Sequence, residues 1–194
     1  MSSSRITAFS DGVMAILITI MVLNLHEPSS YSWSALLDLK FVFLSYLVSF
    51  MVLAIYWNNH HHMFQLPCKI TGRILWWNMA LLFAMSLMPF STAWMAEFPA
   101  RQAPELLFGL NCLLIDLIYD GLAFEVFRQQ KTFGKLREAS WFWKCIFSVV
   151  ILVVALLIAV LTGWNFLSMA AVVVSLSPWV IPDRQIERRI NESQ

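Results

Sequence analysis

The chain has 194 residues, of which 59% are hydrophobic and 13% are charged. Soluble domains are about one-quarter charged, so this composition, with a mean hydropathy of +0.69, excludes an ordinary soluble fold. The net charge of +1 and the three cysteines exclude the basic field of a nucleic-acid-binding protein and a disulfide framework. We predict a single all-α integral membrane domain over residues 1–194.

Six apolar segments follow one another with little sequence between them. We predict that they span the membrane at about 6–25, 37–57, 71–95, 106–127, 141–162 and 165–182.

The first segment, Arg5 to Leu25, combines a polar start with an aliphatic stripe. On a helical wheel, Gly12, Thr19, Ile20 and Leu23 lie within about 60° of Ile16. They form a stripe of aliphatic side chains that is broken by one hydroxyl. Asp11 lies about 140° from Ile16, so its carboxylate needs partners on other helices. The wheel alone leaves open a pore helix, or a signal anchor or packing helix whose stripe is ordinary bundle interior.

The second segment ends in Trp57, three consecutive histidines (60–62) and Phe64. Adjacent histidines on a helix point about 100° apart, so at most two could bind one metal ion. We predict no metal site. We expect the imidazole and indole groups instead to donate hydrogen bonds to Ser10 and Asp11 and to fix the first helix.

The fourth segment carries Asp116 and Asp120 on one face, one helical turn apart. An acid inside the membrane is a candidate for a proton or ion pathway. The alternative is a protonated or hydrogen-bonded acid that faces the interior of the helix bundle.

The positive-inside rule orients the chain. If both termini are cytoplasmic, Lys40 and Arg101 alone among the 13 lysines and arginines lie outside. The sequence lacks an aligned nucleophile and base, so we predict no enzyme activity and no cofactor. It also lacks a TVGYG potassium-channel filter.

Several motifs in the first 95 residues resemble one family. They are Arg5-x-x-x-Phe9-Ser10-Asp11, Tyr46-x-x-Ser49-Phe50, Trp57-x-x-His60-His61 and Trp77-Asn78 ahead of Pro89-Phe90. This set is similar to the bacterial branch of the transmembrane-protein-175 family, the relatives of the lysosomal potassium channel.

The resemblance implies a homotetramer with six helices per subunit and one central pore, in the plasma or inner membrane. It implies that the first helix lines the pore, that Ile16 forms the narrowest ring, and that Thr19, Ile20 and Leu23 form further layers. Gly12 stands where the family is expected to have alanine. The resemblance also implies a polar network that joins the first helix to the next helices. Its residues in this sequence are Arg5, Phe9, Ser10, Asp11, Trp57, His60 and His61.

Two functions follow as hypotheses, beside a third hypothesis of a non-transporting membrane scaffold, which the polar motif at the end of the first span disfavours. The first is a potassium-permeable channel, open to other monovalent cations, with a hydrophobic Ile16 gate. The second is a proton channel or proton-coupled transporter that uses Asp116, Asp120 and the His60 to His62 cluster.

Overall fold

The computed structural model describes residues 3–129, 140–163 and 166–180. The described residues fold into helices. In chain order these are α1 (Ser3–Leu23), α2 (Trp33–Asp38), α3 (Lys40–Gln65), α4 (Gly72–Ser86), α5 (Met88–Glu97), α6 (Gln102–Phe127), α7 (Ser140–Thr162) and α8 (Leu167–Leu176), with a final 3-10 turn, Ser177–Trp179.

Five helical segments among the described residues are long and apolar enough to cross a membrane. They are Ser3–Leu23, Lys40–Gln65, Gly72–Glu97, Gln102–Phe127 and Trp141–Thr162. The sixth predicted span contains a shorter apolar helix, Leu167–Trp179. The prediction of an all-α, multi-pass membrane protein is therefore confirmed.

The second span is longer than its hydropathy indicates. We predicted its end near Trp57, but α3 continues to Gln65 and includes the three histidines. Polar residues lower the hydropathy of these last two turns, yet His60 is completely buried against neighbouring helices. Tertiary contacts, which hydropathy does not measure, extend the helix.

The third span is broken at Leu87, which ends α4 and begins α5. Pro89 is in the first turn of α5. Proline has no backbone N–H and disfavours the α conformation in the residue before it, so an unbroken helix through this point is unfavourable.

The core forms where α4 packs against α6, α6 against α7, and α1 against α3 and α4. Its fully buried side chains include Met14, Leu53, Ile74, Leu81, Phe108, Ile115 and Leu122. At one end of the bundle, the Glu105 carboxylate of α6 accepts a hydrogen bond from the backbone N–H of Phe166. Phe166 precedes α8 with a left-handed φ of 68°, so Glu105 binds a donor at the start of that helix.

Part of the orientation argument concerns residues outside the described ranges. These are the basic residues Lys131, Lys135, Arg137, Arg184, Arg188 and Arg189.

Candidate pore helix and its polar anchor

One face of α1 is buried against the rest of the subunit. Its members follow one another at intervals of three or four residues, as one helix face requires. They are Ile6, Ser10, Met14, Leu17 and Met21. This face packs on α3, α4 and α5.

The opposite face of α1 is exposed in the single subunit and holds the stripe that the sequence predicted. Ile16 is 58% exposed, Ile20 42% and Leu23 80%. Gly12 and Thr19 are also exposed. The structure thus brings the five stripe residues together on a surface that the subunit's own helices leave uncovered.

The Thr19 hydroxyl donates a hydrogen bond of 2.8 Å to the backbone carbonyl of Ile16, one turn earlier. A hydroxyl has one proton and two acceptor lone pairs. Because the proton is used within the helix, the oxygen remains an acceptor at the exposed surface.

Asp11 lies on the flank of α1 and accepts a hydrogen bond from Trp57. The distance from the indole Nε1 to Oδ1 is 2.9 Å. The Trp57 ring stacks on His61, with ring centroids 5.9 Å apart. Asp11 is half-buried and Trp57 is 41% exposed, so this contact lies at the edge of the subunit.

A second polar cluster is completely buried and joins three helices. The Asn78 side chain of α4 donates to Ser10 Oγ of α1 at 3.0 Å. His60 Nε2 of α3 lies 2.8 Å from Asn78 Oδ1. Since Oδ1 is an acceptor, His60 must carry its proton on Nε2. Ser10, His60 and Asn78 are each no more than 1% exposed, so each needs these partners.

The network predicted as one set is therefore divided into an Asp11–Trp57–His61 cluster and a Ser10–Asn78–His60 cluster. Asn78 was not among the predicted network residues. Its signal in the sequence was an amide inside an apolar segment, next to Trp77. Arg5 is exposed, Phe9 is 52% exposed, and neither enters these two clusters.

Hydrogen bonds also fix both ends of α1. Ser3 Oγ donates to the backbone carbonyl of Phe64 at 2.9 Å. Asn24, just after the helix, donates to the carbonyl of Pro89 at 3.4 Å. The helix is thus held at its first turn, at its Ser10 turn and at its far end.

Within the part of the chain that the structure describes, the three histidines are not grouped with further possible metal ligands. Among residues 3–129, 140–163 and 166–180, three or more histidine, cysteine or acidic side chains do not come together as metal ligands. His61 and His62 are half-buried, with ring centroids 6.1 Å apart.

Asp116 and Asp120 belong to another cluster, between α3, α6 and α7. Asp116 accepts from the Tyr56 hydroxyl at 2.8 Å and from the Ser148 hydroxyl at 2.7 Å. Asp120 accepts from the Cys145 thiol at 2.9 Å. The hydrogen-bond partner of His60 is Asn78 on α4, so these bonds do not join His60 to the two acids.

The region around α1 is similar to a known channel family. Residues 5–89 match the sequence model of a family described as "Endosomal/lysosomal potassium channel TMEM175". That region contains both polar clusters of α1, but not Asp116 or Asp120.

Three relatives are informative. A potassium channel of Chryseobacterium sp. strain P1-3 is 38% identical over the full length of both chains. A crystal structure of a lysosomal potassium-selective channel TMEM175 homolog from Chamaesiphon minutus has a TM-score of 0.76 at 26% identity, and the match covers 97% of this chain and 98% of that one. The endosomal/lysosomal proton channel TMEM175 of Danio rerio is 30% identical over 60% of this chain and 24% of its own length.

Proposed function

Because this chain belongs to the TMEM175 family, we propose that it is a potassium-permeable channel of the bacterial inner membrane. It acts as a homotetramer in which four copies of α1 surround one pore. Potassium, and to a lesser degree other monovalent cations, are the permeant ions. The channel needs no resident cofactor, metal or nucleic acid, and it is not an enzyme.

The exposed face of α1 is the observation that carries this proposal. A membrane helix with an aliphatic face that its own subunit leaves uncovered must contact lipid, another subunit or a pore. On α1 that face includes the Thr19 hydroxyl, while Ser10 and Asp11 bond to other helices. Hydrogen bonds at the first turn, at the Ser10 turn and at the far end of α1 fix its rotation, as a pore-lining helix requires.

The gate is a ring of four Ile16 side chains. An aliphatic constriction stops ions by dewetting, so conduction requires that the ring widens or rotates. Potassium is easier to dehydrate than sodium and crosses such a ring more readily. The Thr19 oxygens, still acceptors because their protons are donated to Ile16, replace part of the lost water. Ile20 and Leu23 continue the apolar lining.

The topology proposed for each subunit has six spans, with both termini in the cytoplasm. The short helix Leu167–Trp179 belongs to the sixth span. The distribution of lysine and arginine supports this orientation.

Proton conduction is the second candidate, since the Danio rerio relative is a proton channel. A path through Asp116, Asp120 and the histidines has less support in this chain. Its acids bond to Tyr56, Ser148 and Cys145, whereas His60 bonds to Asn78. The two sets are not linked by hydrogen bonds of this kind.

Ion flux into proteoliposomes tests the two functions together. We expect the purified protein to carry potassium down its gradient, and sodium more slowly, when a protonophore in the cation-flux samples removes any limit set by proton movement. Acidification measured without the protonophore reports proton permeation separately. Vesicles that transport neither potassium nor sodium, with the protein intact and inserted, would contradict the channel proposal.

A further inference from the structure

Asp116 is a buried acid with no part in the proposed pore. It is 1% exposed and lies near the middle of α6. Its two oxygens contact hydroxyl groups from two different helices, Tyr56 on α3 and Ser148 on α7. Both partners are neutral, and hydroxyls alone compensate poorly for a buried carboxylate charge.

Among the residues that the structure describes, the titratable groups that interact with this acid are tyrosines, cysteines and a second aspartate, which carry no positive charge. On α3 the facing group is Tyr56, and on α6 they are Cys112, Tyr119 and Asp120. A second ionised carboxylate one turn away would repel the first. On α7 the facing group is Cys145, which bonds to Asp120. The neighbouring Lys144 has its ammonium 5.8 Å from the centre of the Trp179 ring.

Ser148 provides the feature that accommodates a proton on Asp116. Its hydroxyl oxygen lies 2.7 Å from Asp116 Oδ2 and 3.2 Å from the backbone carbonyl of Cys145. A serine hydroxyl has one proton to donate. If Asp116 is ionised, that proton points to Oδ2. If Asp116 is protonated, the acid donates to Ser148, and the serine proton turns to the Cys145 carbonyl. Tyr56 donates to Oδ1 in both cases.

We propose that Asp116 is a proton-binding site, in which the proton on Oδ2 is donated to Ser148 Oγ and the Ser148 hydroxyl donates to the Cys145 carbonyl. At neutral pH the acid is neutral. The site links α3, α6 and α7 through a chain of hydrogen bonds in which each donor has an acceptor. It is independent of the proposed pore, because each of its members lies outside α1.

Infrared spectroscopy of the full-length protein in lipid at neutral pH tests this assignment. We expect wild type to show a carbonyl band of a protonated carboxylic acid that Asp116→Asn removes. Asparagine has nearly the same shape, and its amide can donate to Ser148 as the acid does, so the variant should fold. Ser148→Ala should shift the band to higher frequency, because the acid loses its hydrogen-bond acceptor. Asp120→Asn is the matched control and should leave the Asp116 band in place.

Equal acid-carbonyl intensity in wild type and Asp116→Asn would overturn the proposal. An unchanged frequency in Ser148→Ala would do the same, because the proton would not be shared with that hydroxyl. If Asp116→Asn does not fold, wild type and Ser148→Ala labelled with ¹³C-aspartate provide the test. A label-sensitive band that Ser148→Ala shifts supports the site, and the absence of such a band refutes it. The spectra do not depend on conduction, so this result and the flux result can fail separately.

Discussion

Ile16 and Thr19 are one helical turn apart and present different chemistry on the exposed face of α1. Ile16 presents only hydrocarbon, so it sets the cost of dehydration. Thr19 presents an oxygen whose proton is already donated to the Ile16 carbonyl. The oxygen can therefore coordinate a cation, whereas its proton is less available for a hydrogen bond to an anion. In the proposed pore, Ile16 controls whether ions pass and favours the ion that loses its water more easily, and Thr19 adds to the preference for potassium.

The gate assignment predicts that Ile16→Asn raises basal current and lowers the discrimination between potassium and sodium, because amides wet the constriction. Single-channel or liposome currents recorded with potassium and sodium both present measure the basal current and the discrimination between the two ions. Val22→Asn is the matched control, since Val22 is 43% exposed on the same helix but about 120° from Ile16 on the wheel. If both variants behave alike, Ile16 is not the gate.

The hydroxyl layer predicts a different result for Thr19→Val. This variant keeps the shape of the side chain and removes the acceptor oxygen, so we expect conduction to persist with a weaker preference for potassium. Reversal potentials in mixed potassium and sodium solutions measure the preference. Thr19→Ser retains the oxygen and should behave as wild type. An unchanged preference in Thr19→Val would leave selectivity to the aliphatic residues alone.

At the level of the helix, α1 is held mainly by its buried contacts. Ser10, Asn78 and His60 are inaccessible to water, whereas the Asp11–Trp57 bond is partly solvated. A donor or acceptor left without a partner in the interior costs about 1–3 kcal/mol, and solvent reduces that cost at an exposed site.

We therefore expect Asn78→Ala to destabilise the protein more than Asp11→Ala. Asn78→Ala removes a hydrogen-bond partner from both Ser10 and His60. In Asp11→Ala, by contrast, the Trp57 N–H that loses its partner can bond to water. Thermal unfolding in mild detergent gives the order. In double-mutant cycles, Asn78→Ala and His60→Ala should couple by more than about 0.5 kcal/mol, whereas Asp11→Ala and Asn78→Ala should be nearly additive. Strong coupling in the second pair would mean that the two clusters act as one.

Two glycines make a matched pair for testing helix packing. A Cβ atom on Gly109 of α6 would lie 2.9 Å from Leu156 Cδ2 of α7 and 3.1 Å from Ser168 Cβ of α8. A Cβ atom on Gly12 would meet nothing within 4 Å in the subunit. Gly109→Ala should thus lower the melting temperature, because the Leu156 side chain must change its conformation and Ser168 of α8 must move by a few tenths of an ångström. Gly12→Ala should keep or raise it, since alanine favours a helix by about 0.5–1 kcal/mol over glycine. A stable Gly109→Ala protein would show that this contact relaxes easily.

For the whole molecule, the sequence predicted what depends on one helix at a time. Hydropathy located the membrane helices, and the wheel grouped Ile16 with the other residues of the exposed stripe. It did not predict which polar residues pair across helices, because such pairing depends on the rotation and depth of each helix. Asn78 was thus missed as the partner of Ser10 and His60. The break at Leu87 and the extension of α3 to Gln65 likewise result from local proline geometry and from tertiary packing, which hydropathy does not measure.

The exposed face of α1 lines a pore only if four subunits assemble around it. An engineered cysteine on this face can test the proposed tetramer. In a pore formed by four α1 helices, Ile16→Cys places four thiols around one axis. Cadmium binds thiolates strongly, so we expect cadmium to block the current and a chelator to restore it. Oxidation should link pairs of subunits, and light scattering should give a tetramer mass after subtraction of detergent.

The native cysteines leave a low background for this experiment. Cys112 and Cys145 are buried. Burial raises the pKa of the Cys68 thiol, so less of it is the reactive thiolate, and Cys68→Ser removes what remains. In that background, Val22→Cys is the control, because its thiols point away from the proposed axis and should bind cadmium without closing the pore. Cadmium block in Val22→Cys but not in Ile16→Cys would place a different face of α1 on the ion path, and the rotation fixed by Ser10 would then have to differ in the assembled channel.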